Sequence, residues 1–185
     1  MLPELLETTN LFYLLHRIDI DLAKQQQLAG CPYCGGPLHH SNYERKPRGG
    51  PNKLPENICV RLSFCCGKEN CRRRTLPSST LFMDRRVYFK GVILIILTLR
   101  QNNPRENSKA RLIRMFGVSR KTINRWQGFF RHIFPASVKW QRLRGMISTD
   151  VQNDRLPGEL VAYFLKQVKS AEAAMIGCLC FLSTN

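Results

Sequence analysis

The sequence predicts an α+β protein, in which a small cysteine-rich module with β-strands is followed by a mostly helical region. Cysteines cluster at 31–34 and 65–71, and an alternation of apolar and polar residues, the period of a strand, precedes the second cluster. Beyond residue 90, apolar residues recur three and four positions apart, which is the period of a helix. We expect an N-terminal helix over 1–30 and the cysteine-rich module over 31–89. A region with a pair of short helices follows over 90–134, and a helical extension over 135–185.

The first segment predicts one helix. Its apolar residues are spaced three and four apart and form one stripe, made of Leu11, Leu14, Leu15 and Ile18. Gly30 is expected to end this helix, since glycine commonly follows the last helical turn. The first ten residues carry acid and lack an apolar run, so we expect no signal peptide and a cytoplasmic chain with reduced thiols.

The two cysteine clusters predict a metal site. In Cys31-Pro-Tyr-Cys34-Gly, two thiols three positions apart precede a glycine that permits a tight turn. The second cluster reads Phe-Cys-Cys66-Gly-Lys-Glu-Asn-Cys71. Four thiolates in two pairs, separated by strand-like sequence, are typical of a zinc ribbon. We therefore expect one structural Zn²⁺, bound by Cys31, Cys34, Cys66 and Cys71.

Alternatives to this ligand set remain open in the sequence. Cys66 is favoured because it precedes a glycine, as Cys34 does, but strand alternation alone does not exclude Cys65. Two other interpretations remain: a ligand from His39 or His40, and cysteines that form disulfides or are free buried thiols without a metal. The remaining cysteines are expected to be spare or core thiols: Cys59, Cys178 and Cys180.

A loop and a strand are expected between the cysteine pairs. Residues 45–55 (RKPRGGPNKLP) are a loop by composition. A half-buried strand follows, because apolar residues alternate with Cys59, Arg61 and Ser63 at positions Ile58, Val60, Leu62 and Phe64. Residues 72–89 predict short strands and a turn.

The net charge of +16 is concentrated in the middle of the chain. Residues 31–145 hold 24 of the 29 basic residues and five of the 13 acidic ones. This segregation predicts a polyanionic partner, and nucleic acid rather than a membrane, because the basic stretch is not one long amphipathic helix. Phosphate contacts are assigned to the basic residues of the cysteine-rich module, with a solvated surface as the alternative: Arg45, Lys46, Arg48, Arg72, Arg73 and Arg74.

Residues 106–131 predict two short helices joined by a turn. Gly117 breaks the first helix, and Ser119 is a good N-cap for the second. The two helices share an apolar face made of Leu112, Ile113, Phe116, Ile123, Trp126 and Phe130. This pattern is typical of a helix-turn-helix, whose second helix enters a DNA major groove. An ordinary amphipathic hairpin is the alternative.

The polar face of the second helix supplies the candidate DNA contacts. Arg120 and Arg125 can pair with guanine and Asn124 with adenine, while Ser119 and Lys121 are placed for phosphate. On either side of this pair we expect a helix over 90–101, mixed structure over 138–147, and one or two helices over 156–182.

Residues 31–130 resemble zinc-ribbon insertion-sequence transposases. The resemblance is carried by CPYCGG, the later cysteine pair with CRRR, a TLF segment, an apolar helix and FGVSRKTINRW, in that order. It implies a mobile-element origin. The loop between the cysteine pairs is longer than in such ribbons, and Ile113 stands where a small alanine is usual.

Such transposases carry a metal-binding acidic triad on a separate ribonuclease-H-like domain. The acids after residue 130 lie too close together in sequence, and the remaining segment is too short, to form that domain: Asp150, Asp154, Glu159 and Glu172. Asp150 and Asp154 are expected to flank a loop and cap a helix near Pro157. We therefore expect a non-enzymatic, nucleoid-associated, sequence-specific binder of double-stranded DNA, a regulator or accessory factor of a mobile element.

Other functions remain open. The chain could be the DNA-binding subunit or remnant of a transposase that acts with a catalytic partner, or an RNA-binding zinc-ribbon protein. A second copy of the chain and a transposase are the protein partners considered.

Overall fold

The computed structural model describes residues 2–84 and 86–184, and the chain divides into two compact units. The cysteine unit is Glu7–Phe89, and the helical unit is Met1–Leu6 together with Lys90–Asn185. Helices and small antiparallel sheets both contribute, so the expected mixture of helix and strand is confirmed. No helix within the described residues is long and apolar enough to cross a membrane.

The cysteine unit begins with helix α1, Thr9–Ala29, which Gly30 ends with a left-handed φ of 78°. The predicted helix is confirmed, but its buried face is rotated from the predicted stripe. Leu14 is 43% exposed, whereas the buried positions are Leu11, Phe12, Leu15, His16, Asp19 and Ala23. The buried side of α1 therefore includes polar residues that an apolar stripe does not predict.

Two small antiparallel sheets follow α1. The first has the strand order β1-β4-β5, formed by Leu38–His40, Phe64–Cys66 and Arg74–Thr75. Its register places Leu38 opposite Cys66 and Phe64 opposite Thr75. The second sheet pairs β2, Tyr43–Glu44, with β3, Val60–Arg61.

The single strand predicted over residues 58–64 is wrong. Ile58 lies in a 3₁₀ turn, Glu56–Cys59, and the chain then passes from one sheet to the other. The crossing occurs at Ser63, which is buried. Its N–H donates to Asn42 Oδ1 at 3.0 Å and its hydroxyl donates to the Ser41 carbonyl, and these bonds offset the cost of burying a polar residue. Arg61, expected to face solvent, is buried instead.

The helical unit is organised around α2, Lys90–Asn102, which confirms the helix expected there. Every residue from Lys90 to Thr98 is buried, because neighbouring elements cover α2 on several sides. It contacts the N-terminal 3₁₀ turn Pro3–Leu6 and the helices α4, α6 and α7, defined by Arg120–Gly128, Gly158–Gln167 and Ala171–Phe181.

Two further helices complete this unit, with one π-helical turn. Helix α3 is Lys109–Phe116, and α4 continues into the π turn Phe129–Ile133. The segment expected to be mixed forms α5, Val138–Arg144, because Ser137 caps it by accepting from the Trp140 N–H at 3.2 Å.

The start of α6 near Pro157 agrees with the sequence, but the predicted aspartate cap is wrong. No side chain of the preceding loop caps this helix. Instead, the Gly158 N–H donates to Gln101 Oε1 at 2.7 Å, and Gln101 Nε2 donates to the Leu156 carbonyl at 2.8 Å. A side chain distant in sequence thus satisfies the backbone at this turn.

Candidate metal centre and nucleic-acid interface

Four cysteines of the cysteine unit meet at one point. The sulfur atoms of Cys31, Cys34, Cys66 and Cys71 all lie within 4.8 Å of one another. Cys31 and Cys66 are buried, and Cys34 and Cys71 are partly exposed. The cluster stands on a small apolar core that includes Ala23, Leu38 and Phe64. The group therefore joins the end of α1 to the β1-β4-β5 sheet.

The first pair is positioned by a tight turn at the end of α1. The Cys31 N–H donates to the Gly36 carbonyl at 2.9 Å, and the Gly35 N–H donates to the Cys31 carbonyl at 2.8 Å. Gly35 has a φ of 64°, a left-handed conformation that a side chain disfavours. The glycine after Cys34 is thus required by the backbone that turns both sulfurs inward.

The second pair is positioned by β4 and the turn that follows it. The Gly67 N–H donates to the Pro37 carbonyl at 2.9 Å, and the Cys71 N–H donates to the Lys68 carbonyl at 3.0 Å. Lys68 Nζ also donates to the Cys34 carbonyl at 3.1 Å, which ties the two turns together.

The sulfur geometry fits a tetrahedral metal. A metal with four sulfur ligands at about 2.3 Å sets the sulfur atoms about 3.8 Å apart. Here Cys31 Sγ and Cys71 Sγ are 3.8 Å apart, and Cys34 Sγ and Cys66 Sγ are 3.5 Å apart. A disulfide requires about 2.05 Å, so these cysteines are free thiols. The four cysteines can bind one metal ion.

The thiols of this cluster differ in acidity. Burial raises the pKa of Cys31, but backbone hydrogen bonds from Tyr33 and Cys34 and the neighbouring thiols outweigh it and lower the value to about 7. A backbone hydrogen bond from Lys68 lowers the pKa of Cys66, but burial and the neighbouring thiols raise it to about 12. A metal that binds all four as thiolates displaces these protons.

The structure places the alternative ligands outside the cluster. Cys65 lies on the other side of β4, where its Sγ is 3.4 Å from the Arg72 carbonyl oxygen. His39 and His40 are exposed on β1, and His40 stacks on Phe64 with ring centroids 5.1 Å apart. Cys59 lies in its 3₁₀ turn. The prediction of Cys66 over Cys65 thus agrees with the geometry.

The C-terminal cysteines belong to the helical unit and lie on α7. Cys178 is buried, and burial raises the pKa of its thiol to about 12. Cys180 is partly exposed on the same helix. Both lie outside the metal cluster, and Cys178 packs in the core as expected.

Of the three basic loop residues assigned to phosphate contacts, Arg45 is already engaged by other groups of the protein. Arg45 donates from Nη1 to the Asp84 carbonyl at 3.2 Å and from Nη2 to the Arg86 carbonyl at 2.5 Å. Its guanidinium also lies over the Phe82 ring, 5.5 Å from the centroid. Arg45 therefore holds the loop against Phe82, Asp84 and Arg86, while the side chains of Lys46 and Arg48 are exposed.

The three arginines after Cys71 are exposed, and two of them are supported by tyrosines. The Arg73 guanidinium lies over the Tyr33 ring at 4.7 Å, and that of Arg74 lies over Tyr43 at 5.4 Å. Arg74 Nη2 also donates to Ser41 Oγ at 3.1 Å. Stacking on a ring leaves guanidinium edges free to donate, so these contacts orient the arginines without consuming all their donors.

Helices α3 and α4 form a compact pair in the helical unit. Ser108 and Ser119 cap them by accepting from the Arg111 N–H at 3.3 Å and the Thr122 N–H at 3.2 Å. Gly117 lies between them in the left-handed region, with φ 60° and ψ 24°. The shared face is buried at Leu112, Val118, Ile123, Trp126 and Phe130. The predicted break at Gly117 and the predicted cap at Ser119 are confirmed, whereas the Ser108 cap was not predicted. Ile113 and Phe116, expected on the shared apolar face, are only partly buried.

The predicted contact residues lie together on the outer face of α4. Arg120, Lys121, Asn124 and Arg125 are all exposed. Ser119 accepts from the Thr122 backbone, and its hydroxyl lies 2.9 Å from Thr122 Oγ1.

One further residue joins this face, which the sequence did not indicate. Lys109 Nζ, at the start of α3, donates to Asn124 Oδ1 at 2.6 Å. This bond orients the Asn124 amide and adds a positive charge beside it. Lys109 and Asn124 are 15 residues apart and meet because α3 and α4 cross, so no local sequence pattern indicates this hydrogen bond.

The acidic residues after residue 130 lie in four different settings. Asp150 is in a turn and accepts from Ser148 Oγ at 2.9 Å, and Asp154 is exposed in the 3₁₀ turn Asn153–Arg155. Glu159 and Glu172 lie in the first turns of α6 and α7. Within residues 2–84 and 86–184, the cysteine cluster is the only group of three or more ligating side chains close enough to hold a metal.

Comparison with known protein families, with curated proteins and with solved structures finds no match for this chain.

Proposed function

We propose that this chain is a sequence-specific DNA-binding protein that uses α3 and α4 as a helix-turn-helix. The observation that carries the proposal is the outer face of α4, where four exposed side chains able to pair with bases or phosphates stand on a helix whose opposite side is buried. A helix anchored on one side can enter a major groove without losing its own packing.

The chemistry of this face suits a base-reading role. Arg120 and Arg125 offer forked guanidinium donors that match guanine, and the amide of Asn124 matches adenine. Lys109 occupies one lone pair of the Asn124 oxygen, which leaves the second lone pair to accept from adenine and the amide N–H groups to donate. The net charge of +16 supplies the long-range attraction that brings a basic protein to DNA.

We further propose that the metal is a single Zn²⁺ and that the cysteine unit is a zinc ribbon. Four thiolates with no open position suit structural zinc, whose role is to hold a small fold together. Elemental analysis of the purified chain should give one zinc per molecule. If the purified chain keeps its cysteines as free thiols and still contains no zinc, this assignment is wrong.

In this proposal the zinc ribbon contacts phosphates. Lys46, Arg48 and Arg72 are exposed, and the stacked Arg73 and Arg74 present oriented donors. Arg45 is excluded from this set because its guanidinium donates to the carbonyls of Asp84 and Arg86. Contacts of this kind add affinity without reading sequence.

The test begins with selection of bound duplexes from a random DNA pool. The double variant Arg120→Ala, Arg125→Ala should lose about 1–3 kcal/mol of binding free energy for each lost bidentate contact, and lose sequence preference. Arg142→Gln, an exposed arginine on α5, is the matched control and should bind like the wild type. Equal binding by the double variant and the wild type counts decisively against the proposal.

The resemblance to insertion-sequence transposases supports a role beside a mobile element, as a regulator or accessory factor that is not itself an enzyme. A DNA-binding subunit of a transposase and an RNA-binding ribbon are the alternatives. Incubation of the pure protein with DNA and magnesium separates the enzyme from the regulator. Strand cleavage that acid-to-alanine changes abolish would establish the enzyme.

A further inference from the structure

The helical unit contains an open cleft of about 730 Å³ that the proposed base-reading face does not use. Its charged and amide lining comes from α2, the end of α4 with its π turn, the 3₁₀ turn Asn153–Arg155 and the start of α6. The residues that matter are Arg100, Gln127, Arg131, Asp154, Arg155 and Glu159. None of these is predicted by the sequence to contact DNA.

The positive charge of the cleft is only partly neutralised within it. Arg155 pairs with Glu159 at 3.4 Å, and Glu159 also accepts from the Gln152 N–H at 2.5 Å. This leaves Arg100 and Arg131 opposed by Asp154. Among residues 2–84 and 86–184, no hydrogen bond or ion pair engages the Arg131 guanidinium. The cleft therefore has an available cation.

Arg100 adds a second, fixed donor. Its Nη1 donates to the Pro104 carbonyl at 2.7 Å, which holds the guanidinium at the wall of the cleft. Its Nε is buried and finds no partner among the described residues. A buried charged donor without a partner is costly, and an anion in the cleft adds favourable charge beside it.

The cleft also continues the outer surface of α4. Arg120, Asn124, Gln127 and Arg131 follow one another at spacings of four, three and four, so they form one row along this helix and its π turn. The row starts at the proposed base-reading face and ends at the cleft. A duplex whose groove holds α4 has its sugar-phosphate backbone along the flank of that helix.

We infer that this cleft receives a backbone phosphate of the bound DNA, held by Arg131 and Arg100. This inference rests on the proposed DNA-binding function and adds a phosphate site to it. The contact fixes the position of α4 along the groove and carries no sequence information itself.

The test is a titration of duplex DNA, selected and scrambled, at several salt concentrations. Losing one phosphate contact flattens the log–log salt slope by about 0.9, so Arg131→Gln should bind about fivefold more weakly at about 0.15 M salt and about fifteenfold at about 0.05 M. Both sequences should be affected alike. Arg131→Lys should keep most of the slope, because the charge remains.

Asp154→Asn provides a readout in the opposite direction. Removing the carboxylate that opposes the two arginines should tighten binding of both duplexes by about two- to threefold. Arg142→Gln, outside the cleft, should leave affinity and slope unchanged. Each variant should unfold at the same temperature as the wild type. Because Arg131 is exposed, an unchanged unfolding temperature means that its replacement changes DNA binding and not the stability of the fold.

Three results overturn the inference, and they differ in what they say about the proposed function. If Arg131→Gln binds like Arg142→Gln while the Arg120→Ala, Arg125→Ala variant is weak, the cleft assignment fails and DNA binding stands. If the wild type binds no duplex, both fail. If calorimetry with inorganic phosphate shows binding that Arg131→Gln abolishes, while DNA affinity is unchanged, the cleft serves a small phosphate-bearing molecule instead.

Discussion

The carboxylate of Asp19 is buried on α1 and is surrounded by hydrogen-bond donors from residues 79–81. It accepts from the Thr80 N–H at 2.5 Å and the Thr80 hydroxyl at 2.7 Å, and from the Ser79 hydroxyl. Thr80 also donates its hydroxyl to the Leu15 carbonyl at 3.0 Å. A charged side chain thus fastens this loop to the helix, in a position where an apolar stripe predicts only hydrophobic packing.

Replacing Asp19 with asparagine should lower the free energy of unfolding by about 2–3 kcal/mol. The amide supplies one acceptor oxygen and brings an NH₂ group against donors, so hydrogen bonds to a charged acceptor are lost. Asp21→Asn is the matched control on the same helix, because Asp21 is 70% exposed and only meets Lys24 at 3.6 Å.

Chemical denaturation of both variants measures this difference. Equal midpoints for Asp19→Asn and Asp21→Asn would mean that the buried network contributes nothing. A large loss of unfolding free energy in Asp19→Asn, without one in Asp21→Asn, supports the role of Asp19 in joining residues 79–81 to α1.

At the scale of elements, the turn between α3 and α4 depends on one backbone conformation. Gly117 has a φ of 60°, and a Cβ added there meets nothing within 4 Å. Gly128, near the end of α4, has ordinary helical angles and the same open space. The two glycines therefore separate backbone strain from steric clash.

Gly117→Ala should destabilise the chain by about 1 kcal/mol, because left-handed backbone is unfavourable for alanine. Gly128→Ala should stabilise it by about 0.5–1 kcal/mol, because alanine favours a helix over glycine. Thermal unfolding of the helical signal by circular dichroism tests both. If the unfolding temperatures of Gly117→Ala and Gly128→Ala shift in the same direction, the assignment of backbone strain to the turn at Gly117 is wrong.

At the scale of the molecule, the chain has two compact units, and the four clustered cysteines belong to one of them. The small sheets around the cluster contain strands of two or three residues. Strands this short bury little surface, so we expect the cysteine unit to need a bound metal for its stability, as other small metal-binding folds do. The helical unit has its own buried helix, α2.

Removing the metal with a strong chelator should therefore unfold the cysteine unit and leave the helical unit folded. Hydrogen exchange followed by mass spectrometry should show lost protection in peptides from 7–89 and retained protection in peptides from 90–184. Cys71→Ser should reproduce the chelated pattern, whereas Cys59→Ser, outside the cluster, should not. Loss of protection in both units together, or in neither, would show that this division is wrong.

The sequence by itself determined the features that depend on neighbouring residues. Cysteine spacing with adjacent glycines predicted the four clustered thiols, and Ser119 and Gly117 predicted the ends of α3 and α4. Caps and tight turns are local, because one side chain or one φ angle satisfies the backbone within a few residues.

Only the tertiary structure decided which polar residues are buried and which basic residues are free. Arg61, Arg45 and Asp19 bind groups that are 16, 41 and 61 residues away in sequence. Lys109 reaches Asn124 across a helix pair. The strand expected over 58–64 divided between two sheets because Ser63 found partners at Ser41 and Asn42. A polar side chain can be buried only where hydrogen-bond partners surround it. The fold, and not the local sequence pattern, brings those partners to it.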